Sequence, residues 1–285
     1  MPDQRKIHDN ASGTIGSVRT AKQRPRARRK RRRPVRAAVL ALSALVLAVG
    51  LVGALAIWFT QLAGEHQVRS RTSAPAIAPP GPGAPTPPVD PTVAARQQPD
   101  LVAWANVTSP TVAIPAKALQ AYGYAAAWEA VRDPGCGIGW STLAGIGAVE
   151  SRHGSYGGAR LDDLGRALPP IIGIPLDGAP GVEAIADTDD GALDGDPNFD
   201  RAVGPMQFIP QTWRKWGTDA DRDGVADPND INDAALTAAR YLCAGKPNMA
   251  TAKGWRDALF NYNRSQAYAN EVLQYAANYA KGLAG

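Results

Sequence analysis

The sequence predicts a mainly α-helical domain that follows one transmembrane helix. Three observations lead to this prediction. A charge-free apolar run follows a basic N-terminus, and a proline-rich stretch follows that run. The remaining residues carry apolar side chains at helical spacing, with little of the alternation that is typical of strands. We therefore divide the chain into residues 1–36, 37–62, 63–100 and 101–285.

Residues 1–36 carry the basic character of the chain. They contain 13 Lys and Arg against two Asp, a net charge of +11, so the rest carries −6 within the overall +5. We expect this tail to be disordered, because it cannot bury a core. A nucleic-acid-binding domain usually carries its positive charge on a folded face, so nucleic acid is not expected as a partner. Beside an apolar helix, topology and anionic lipid headgroups explain the basic run more simply.

Residues 37–62 are predicted to cross the membrane as a helix. They contain no charged residue and exceed the about 20 apolar residues that a bilayer requires. The positive-inside rule then places the N-terminus in the cytoplasm and the folded domain outside the cytoplasmic membrane. A cleaved signal peptide is the alternative, although its apolar region is usually shorter. A lipoprotein signal does not fit, because Glu65 follows Gly64 where a cysteine is needed.

The remaining chain divides into a spacer and a helical domain. Residues 63–100 are rich in Pro, Ala and Gly, which is typical of a semi-rigid extracytoplasmic linker. Residues 155–203 are rich in Gly, Pro and Asp and are predicted to form a long functional loop. Helices are expected over residues 115–132, 141–152, 210–216, 231–244, 255–262 and 266–283.

Cys136 and Cys243 are the two cysteines of the chain. Neither has a second Cys or a His at metal-ligand spacing, which argues against a zinc site. Outside the cytoplasm the two can form a disulfide. Two separate buried thiols are the alternative.

Glu150 lies on the apolar face of the helix predicted over 141–152, together with Leu143 and Ile146. A carboxyl group in such surroundings loses hydration, which raises its pKa. An acid that is still protonated near neutral pH can protonate a glycosidic oxygen. The alternative is a glutamate at a helix end that pairs with a basic neighbour such as Arg152.

Three short motifs follow one another along the chain: Glu-Ser at 150–151, Gly-Pro-Met-Gln-Phe at 204–208 and Asn-Tyr-Asn at 261–263. Their order resembles that in the lytic transglycosylases with a lysozyme-like fold. Each motif alone is weak, but three in order are fairly specific. The extended match over 202–210 makes the sequence most similar to the membrane-bound lytic murein transglycosylase B family. The resemblance covers roughly residues 140–279.

The resemblance implies a site and a reaction on peptidoglycan. Glu150 matches the catalytic acid/base. The positions that match glycan-binding residues are Ser151, Gln207, Phe208, Tyr262 and Asn263. In the implied reaction, the glutamate protonates the β-1,4 oxygen between N-acetylmuramic acid and N-acetylglucosamine, and the muramyl 6-hydroxyl closes onto C1 as a 1,6-anhydro ring. Such a lyase needs one carboxylate and no organic cofactor, whereas most glycosidases use two carboxylates.

Residues 219–230 have the oxygen-ligand spacing of an EF-hand calcium loop, with Gly224 at position 6 and Asp in place of the usual Glu at position 12. The family that the sequence resembles carries such a loop inside its catalytic domain. We expect Ca²⁺ to be bound in a structural role, and an Asp-rich turn without metal is the alternative. The expected ligands are Asp219, Asp221, Asp223, the backbone carbonyl of Val225, Asp227 and Asp230.

Two other functions remain open. A muramidase similar to goose-type lysozyme would hydrolyse the same bond with one glutamate and a positioned water, which Asp194 is a candidate to hold. A non-catalytic peptidoglycan-binding or scaffold module would keep the cleft without the chemistry.

Overall fold

The computed structural model describes residues 78–285. The predicted basic tail, the predicted transmembrane helix and the first part of the predicted linker lie outside these residues. Among the helices that the structure describes, none is both long enough and apolar enough to cross a membrane.

Helices dominate the described chain, which confirms the mainly α-helical fold class. In residues 78–285 the helices are α1 (Pro99–Val112), α2 (Ala116–Arg132), α3 (Trp140–Ser151), α4 (Pro210–Trp216), α5 (Ile231–Cys243), α6 (Ala252–Tyr262) and α7 (Gln266–Ala280). Two antiparallel pairs of short strands lie between α3 and α4: β1 (Arg160–Leu161) with β2 (Ala167–Leu168), and β3 (Ile172–Pro175) with β4 (Arg201–Val203). The loop predicted over 155–203 therefore contains local pairing.

Most helix starts follow from local capping. Pro210 occupies the first turn of α4, where its missing N–H has no helical partner in any case. The side chains of Asp230, Thr251 and Ser265 each accept a hydrogen bond from a backbone N–H in the first turn of α5, α6 and α7. Because Thr251 caps α6, this helix begins three residues earlier than the sequence indicated.

α3 is the central helix of the core. Every residue from Trp140 to Ala148 is buried, as expected for a helix that is surrounded by other elements. It packs against α2 and α7. At Gly145 the contact with α7 is close, since a Cβ there would lie 2.7 Å from the carbonyl oxygen of Val272.

Residues 78–98 pack against the helices and belong to the folded domain. The Trp140 Nε1–H donates a hydrogen bond to the carbonyl oxygen of Ala84 over 2.9 Å, and Ala95 is fully buried. Residues 78–98, which were predicted as part of the linker, therefore belong to the folded domain, and this domain begins before residue 100. Because proline lacks an N–H, a proline-rich segment forms few backbone hydrogen bonds within itself. Its carbonyl oxygens therefore remain free to accept hydrogen bonds from side chains.

A disulfide joins Cys136 and Cys243, which confirms the predicted pairing. It links the segment before α3 to the last residue of α5, and both residues are buried. The bond closes a loop with a sequence separation of 107 residues, which contains all of α3 and α4.

Reduction of this disulfide is expected to lower the free energy of unfolding by about 4–5 kcal/mol, because a long closed loop restricts the unfolded chain. Urea denaturation of the protein with and without a reductant measures the difference. The Cys136→Ser/Cys243→Ser double variant is the control, since a reductant has no bond to break in it. Equal stability of the oxidised and reduced protein would contradict the prediction.

Candidate active site

The last turn of α3 places Glu150 against the first turn of α7. The Tyr268 hydroxyl donates a hydrogen bond to Glu150 Oε1 over 2.6 Å. Tyr268 is buried and Glu150 is partly buried, so the carboxyl group is surrounded mainly by protein and keeps some contact with solvent.

Burial raises the pKa of Glu150 to about 7. The hydrogen bond from Tyr268 lowers this pKa, and the nearby charge of Glu271 raises it. A carboxyl group with a pKa near neutrality is present in both forms at physiological pH. It can therefore give up a proton in one step and accept one in another.

α3 ends in a left-handed turn directly after Ser151. Arg152, His153 and Gly154 have φ values of 52°, 57° and 81°. The N–H of Arg152 bonds to the carbonyl of Ala148, in the pattern that commonly satisfies the last carbonyls of a helix. Two consecutive non-glycine residues in this region are costly, so contacts around the turn must stabilise it.

Ser151 supplies one of these contacts. Its Oγ accepts a hydrogen bond from the Gly154 N–H and donates one to the carbonyl oxygen of Pro205, both over 2.7 Å. Ser151 is 1% exposed, so the predicted glycan contact of this residue is corrected. The hydrogen bond to Pro205 connects the end of α3 to the turn at 204–208.

The turn at 204–208 has a backbone that requires glycine at its first position. Gly204 has a φ of +78°, and a Cβ there would overlap the carbonyl of Pro228. Gln207 also has a positive φ of 49°, and its Nε2 donates a hydrogen bond to the carbonyl of Gly204 over 2.8 Å. Gln207 is only partly buried, so part of its side chain remains accessible to a ligand.

Phe208 and Tyr262 pack together behind this turn. Phe208 is 3% exposed, and its ring centroid lies 5.4 Å from that of Trp213 and 5.8 Å from that of Tyr262. The predicted glycan contact of Phe208 is therefore corrected to a place in the core. Tyr262 is partly buried, and its hydroxyl donates to the carbonyl of Met206 over 2.7 Å. Burial raises the pKa of Tyr262 well above its usual value, and the charge of Glu150 adds to this rise.

Asn263 follows the end of α6 and is exposed, as a sugar-binding amide must be.

The sequence motifs did not identify Tyr268 as a residue of the site. Tyr268 lies in the first turn of α7, which Ser265 caps, and shares a buried face with Val272 and Ala276. This helical spacing is the signal that places its side chain on the α3 side.

Partly exposed aromatic rings continue from Tyr262 across the surface. The ring of Tyr241 lies 5.9 Å from that of Tyr262, and the ring of Trp216 lies 5.7 Å from that of Tyr241. Sugar rings can stack on partly exposed aromatic rings, although the helical spacing of Trp216 favours a place in the core. Asp194, by contrast, is engaged by the backbone, because its two oxygens accept from the N–H groups of Asp196 and Arg201.

The Asp-rich loop brings three carboxylates together. Oxygens of Asp219, Asp221 and Asp223 lie within 4.8 Å of one another. The N–H of Gly224, whose φ is +95°, donates to Asp219 Oδ2 over 2.9 Å, so the loop turns sharply at its sixth position. Asp219 Oδ1 and Asp230 Oδ2 are buried and have no hydrogen-bond partner in the described structure.

Side chains outside this loop balance part of its charge. Arg96 pairs with Asp221 over 2.8 Å, and Arg166 pairs with Asp223 over 2.6 Å. The remaining predicted ligands differ in surroundings. Asp227 accepts a hydrogen bond from a backbone N–H two residues later, and Val225 is 62% exposed.

Comparison with known proteins gives one match. Residues 199–256 match a family model described as a transglycosylase SLT domain. No curated protein and no solved structure matches the chain. The match supports a lytic transglycosylase that acts on peptidoglycan, and the helical fold is consistent with a lysozyme-like domain of this kind. It does not single out the murein transglycosylase B family. The matched segment contains the 204–208 turn but neither Glu150 nor Tyr262.

Glu150→Gln is expected to stabilise the protein at alkaline pH. The folded pKa of about 7 lies above the ordinary value of 4.5, so the folded state binds this proton more tightly and loses stability as pH rises between these values. Since the variant has no carboxylate to desolvate, its free energy of unfolding at pH 8 should exceed that of the wild type by about 1–3 kcal/mol.

Urea denaturation between pH 4.5 and 8 measures this difference, which should shrink towards the acid end. Glu183→Gln, at an exposed glutamate, is the matched control and should follow the wild type. A Glu150→Gln variant that is no more stable than the wild type at pH 8 would show that the carboxyl group is well hydrated.

Proposed function

We propose that the protein is a peptidoglycan lytic transglycosylase in which Glu150 is the sole acid/base. The observation that carries the proposal is the partly buried Glu150 carboxyl, with a pKa of about 7, at a helix end that is bonded to the 204–208 turn. This turn lies in the segment that matches the transglycosylase family. The motif at 202–210 and the loop at 219–230 favour a place near the murein transglycosylase B family.

In the proposed reaction Glu150 protonates the oxygen between N-acetylmuramic acid and N-acetylglucosamine. The 2-acetamido group of the muramyl residue stabilises the positive charge that develops at C1. The Glu150 carboxylate then takes the proton of the muramyl 6-hydroxyl, which closes onto C1 and forms the 1,6-anhydro ring. A single group serves both steps because its pKa is close to the working pH.

Neighbouring side chains support these roles. Tyr268 occupies Oε1 of Glu150, so Oε2 is the oxygen that exchanges protons with the glycan. The side-chain amides of Gln207 and Asn263 are the proposed polar contacts for the sugars. Tyr262 closes the other side of the site with its partly exposed ring.

Hydrolysis of the same bond is less well supported. A hydrolase must hold a water on the face of the sugar opposite the acid. The candidate for this task, Asp194, already accepts backbone hydrogen bonds at both oxygens, over 2.9 and 2.6 Å. Its carboxylate therefore has a structural role, in which it stabilises the loop before β4.

Mass spectrometry of digested peptidoglycan tests the reaction. The wild type should release muropeptides with 1,6-anhydromuramyl ends, without incorporating ¹⁸O from labelled water. Glu150→Gln should lower kcat by about 10³-fold or more, because it removes both proton transfers, and should still bind glycan. The control Glu183→Gln should retain activity. Reducing ends that carry ¹⁸O would indicate a muramidase, and an unchanged cleavage rate in Glu150→Gln would remove the assigned acid/base.

We also propose that the domain works outside the cytoplasm, anchored by the helix predicted over 37–62. The disulfide between Cys136 and Cys243 supports this location, because such bonds persist in oxidising compartments. Peptidoglycan, the substrate class, lies in the same compartment. The protein would then act from the cytoplasmic membrane on the adjacent glycan strands.

Calcium is the proposed ligand of the loop at 219–230. The unpartnered buried oxygens of Asp219 and Asp230 fit a hard cation, since a buried carboxylate oxygen without a partner is costly. Asp221, Asp223, Asp227 and the Val225 carbonyl complete the proposed ligand set. The ion would neutralise the clustered carboxylates and stabilise the loop, with no part in proton transfer.

Addition of Ca²⁺ is expected to stabilise the protein, by about 2.7 kcal/mol at a concentration of 100 times Kd. Thermal unfolding in Ca²⁺ and in a chelator measures the effect. Asp219→Asn should abolish the shift, because it removes the charge of one proposed ligand. The amide oxygen still accepts the hydrogen bond from the Gly224 N–H, so the turn of the loop is kept. The control Asp163→Asn, at an exposed residue outside the loop, should keep the shift. Identical unfolding curves for the wild type in both buffers would contradict the proposal.

A further inference from the structure

His153 lies between two tyrosine hydroxyls directly behind the end of α3. Its Nδ1 is 3.2 Å from the hydroxyl of Tyr122 on α2, and its Nε2 is 3.0 Å from the hydroxyl of Tyr279 on α7. His153 is 6% exposed, and the two tyrosines are 0% and 3% exposed. Both ring nitrogens are therefore engaged inside the core.

Gly147 and the burial of His153 both favour the hydrogen bonds between the imidazole and the two tyrosines. A Cβ at Gly147 would overlap the Tyr122 hydroxyl, so glycine at this position of α3 makes room for it. Burial lowers the pKa of His153 to about 4, so the imidazole is neutral at physiological pH. A neutral imidazole has one donor and one acceptor nitrogen, so one tyrosine donates to the ring and the other accepts from it.

Two side-chain hydrogen bonds connect the C-terminal end of α3 to α7. Glu150 reaches Tyr268, and His153, three residues later, reaches Tyr279. The two tyrosines are about three helical turns apart on α7, roughly 16 Å along its axis. The close crossing at Gly145 lies between them along α7, because it contacts Val272 and Ala276. Both attachments lie at or just beyond the C-terminal end of α3, so they hold this end of the helix to two points of α7 on either side of the crossing.

We propose that His153 is a positioning residue for Glu150, which holds the end of α3 against α7 so that Tyr268 keeps its hydrogen bond to the carboxyl group. The proposal rests on the proposed function for its catalytic meaning. The mechanical link between the two hydrogen bonds is independent of that function. The ionisable groups that face Glu150 are Tyr268 and Glu271 on α7 and Tyr262 on α6.

Carbon-13 NMR of the full-length protein labelled at glutamate Cδ tests the link. The chain has five glutamates, so the signal of Glu150 is assigned by its loss in Glu150→Gln. In His153→Phe the ring still fills the space and excludes water, but both hydrogen bonds are lost. Glu150 should then lose part of its hydrogen bond from Tyr268, and its titration midpoint should rise by about half a unit or more.

Tyr279→Phe removes only the hydrogen bond to α7 and leaves the strained backbone at 153 unchanged, so it carries the test if His153→Phe does not fold. The matched control is Tyr275→Phe on the same helix, whose ring stacks on Tyr279 without contacting His153. A rise in the titration midpoint in Tyr279→Phe but not in Tyr275→Phe supports the proposal. A midpoint that stays at the wild-type value or falls, in a folded Tyr279→Phe protein, overturns it.

Kinetics separate this proposal from the proposed function. Tyr279→Phe should lower kcat by about tenfold and leave KM within twofold, because orientation of the acid is affected and glycan binding is not. Loss of stability with unchanged kcat and midpoint would show an ordinary core contact and overturn the positioning role. A wild type that cleaves no peptidoglycan refutes the proposed function, and the NMR result still decides whether His153 positions Glu150.

Discussion

The close crossing of α3 and α7 is the constraint on which the candidate site depends. At Gly145 the two helices meet backbone to backbone, because no side chain separates them. This distance allows the Tyr268 hydroxyl to reach Glu150 at the end of α3. The same contact buries the carboxyl group, which raises its pKa, while the hydrogen bond limits the rise. The contact between α3 and α7 therefore determines both the position of the Glu150 carboxyl group and its pKa.

The Asp-rich loop supports the opposite side of the site. Gly204 of the 204–208 turn lies directly against the carbonyl of Pro228, and the side chain of Asn229 accepts a hydrogen bond from the N–H of Ile171 over 3.1 Å. The loop, the strand pairs and the turn that carries Gln207 are thus in direct contact. The proposed ion in this loop would therefore act on the turn that carries Gln207 through backbone packing.

Local patterns in the sequence predicted the helices and the disulfide better than they predicted the tertiary contacts of single side chains. The spacing of apolar residues and the helix caps located six of the seven described helices. α1 was missed: it begins at Pro99, inside the predicted linker, and has Pro110 in its last turn. The paired cysteines were also predicted. A motif indicates which residues lie close together but not which way each side chain points, so Ser151 and Phe208 were expected in contact with glycan and are buried. The helical spacing of Tyr268 with Val272 and Ala276 indicates a buried face, but its hydrogen bond to Glu150 depends on the tertiary contact of two helices, which no local pattern contains.

The disulfide also determines what a break in the chain would do. Cys136 precedes α3 and Cys243 ends α5, so the long segment between α3 and α4 lies inside the covalent ring. Proteolysis within that segment would produce two polypeptides, one with Glu150 and the other with Tyr268. They would remain a single covalent molecule, and the helix contact between them would not depend on an intact main chain. The oxidised protein would thereby keep together two pieces that the same nick would separate in a reduced protein.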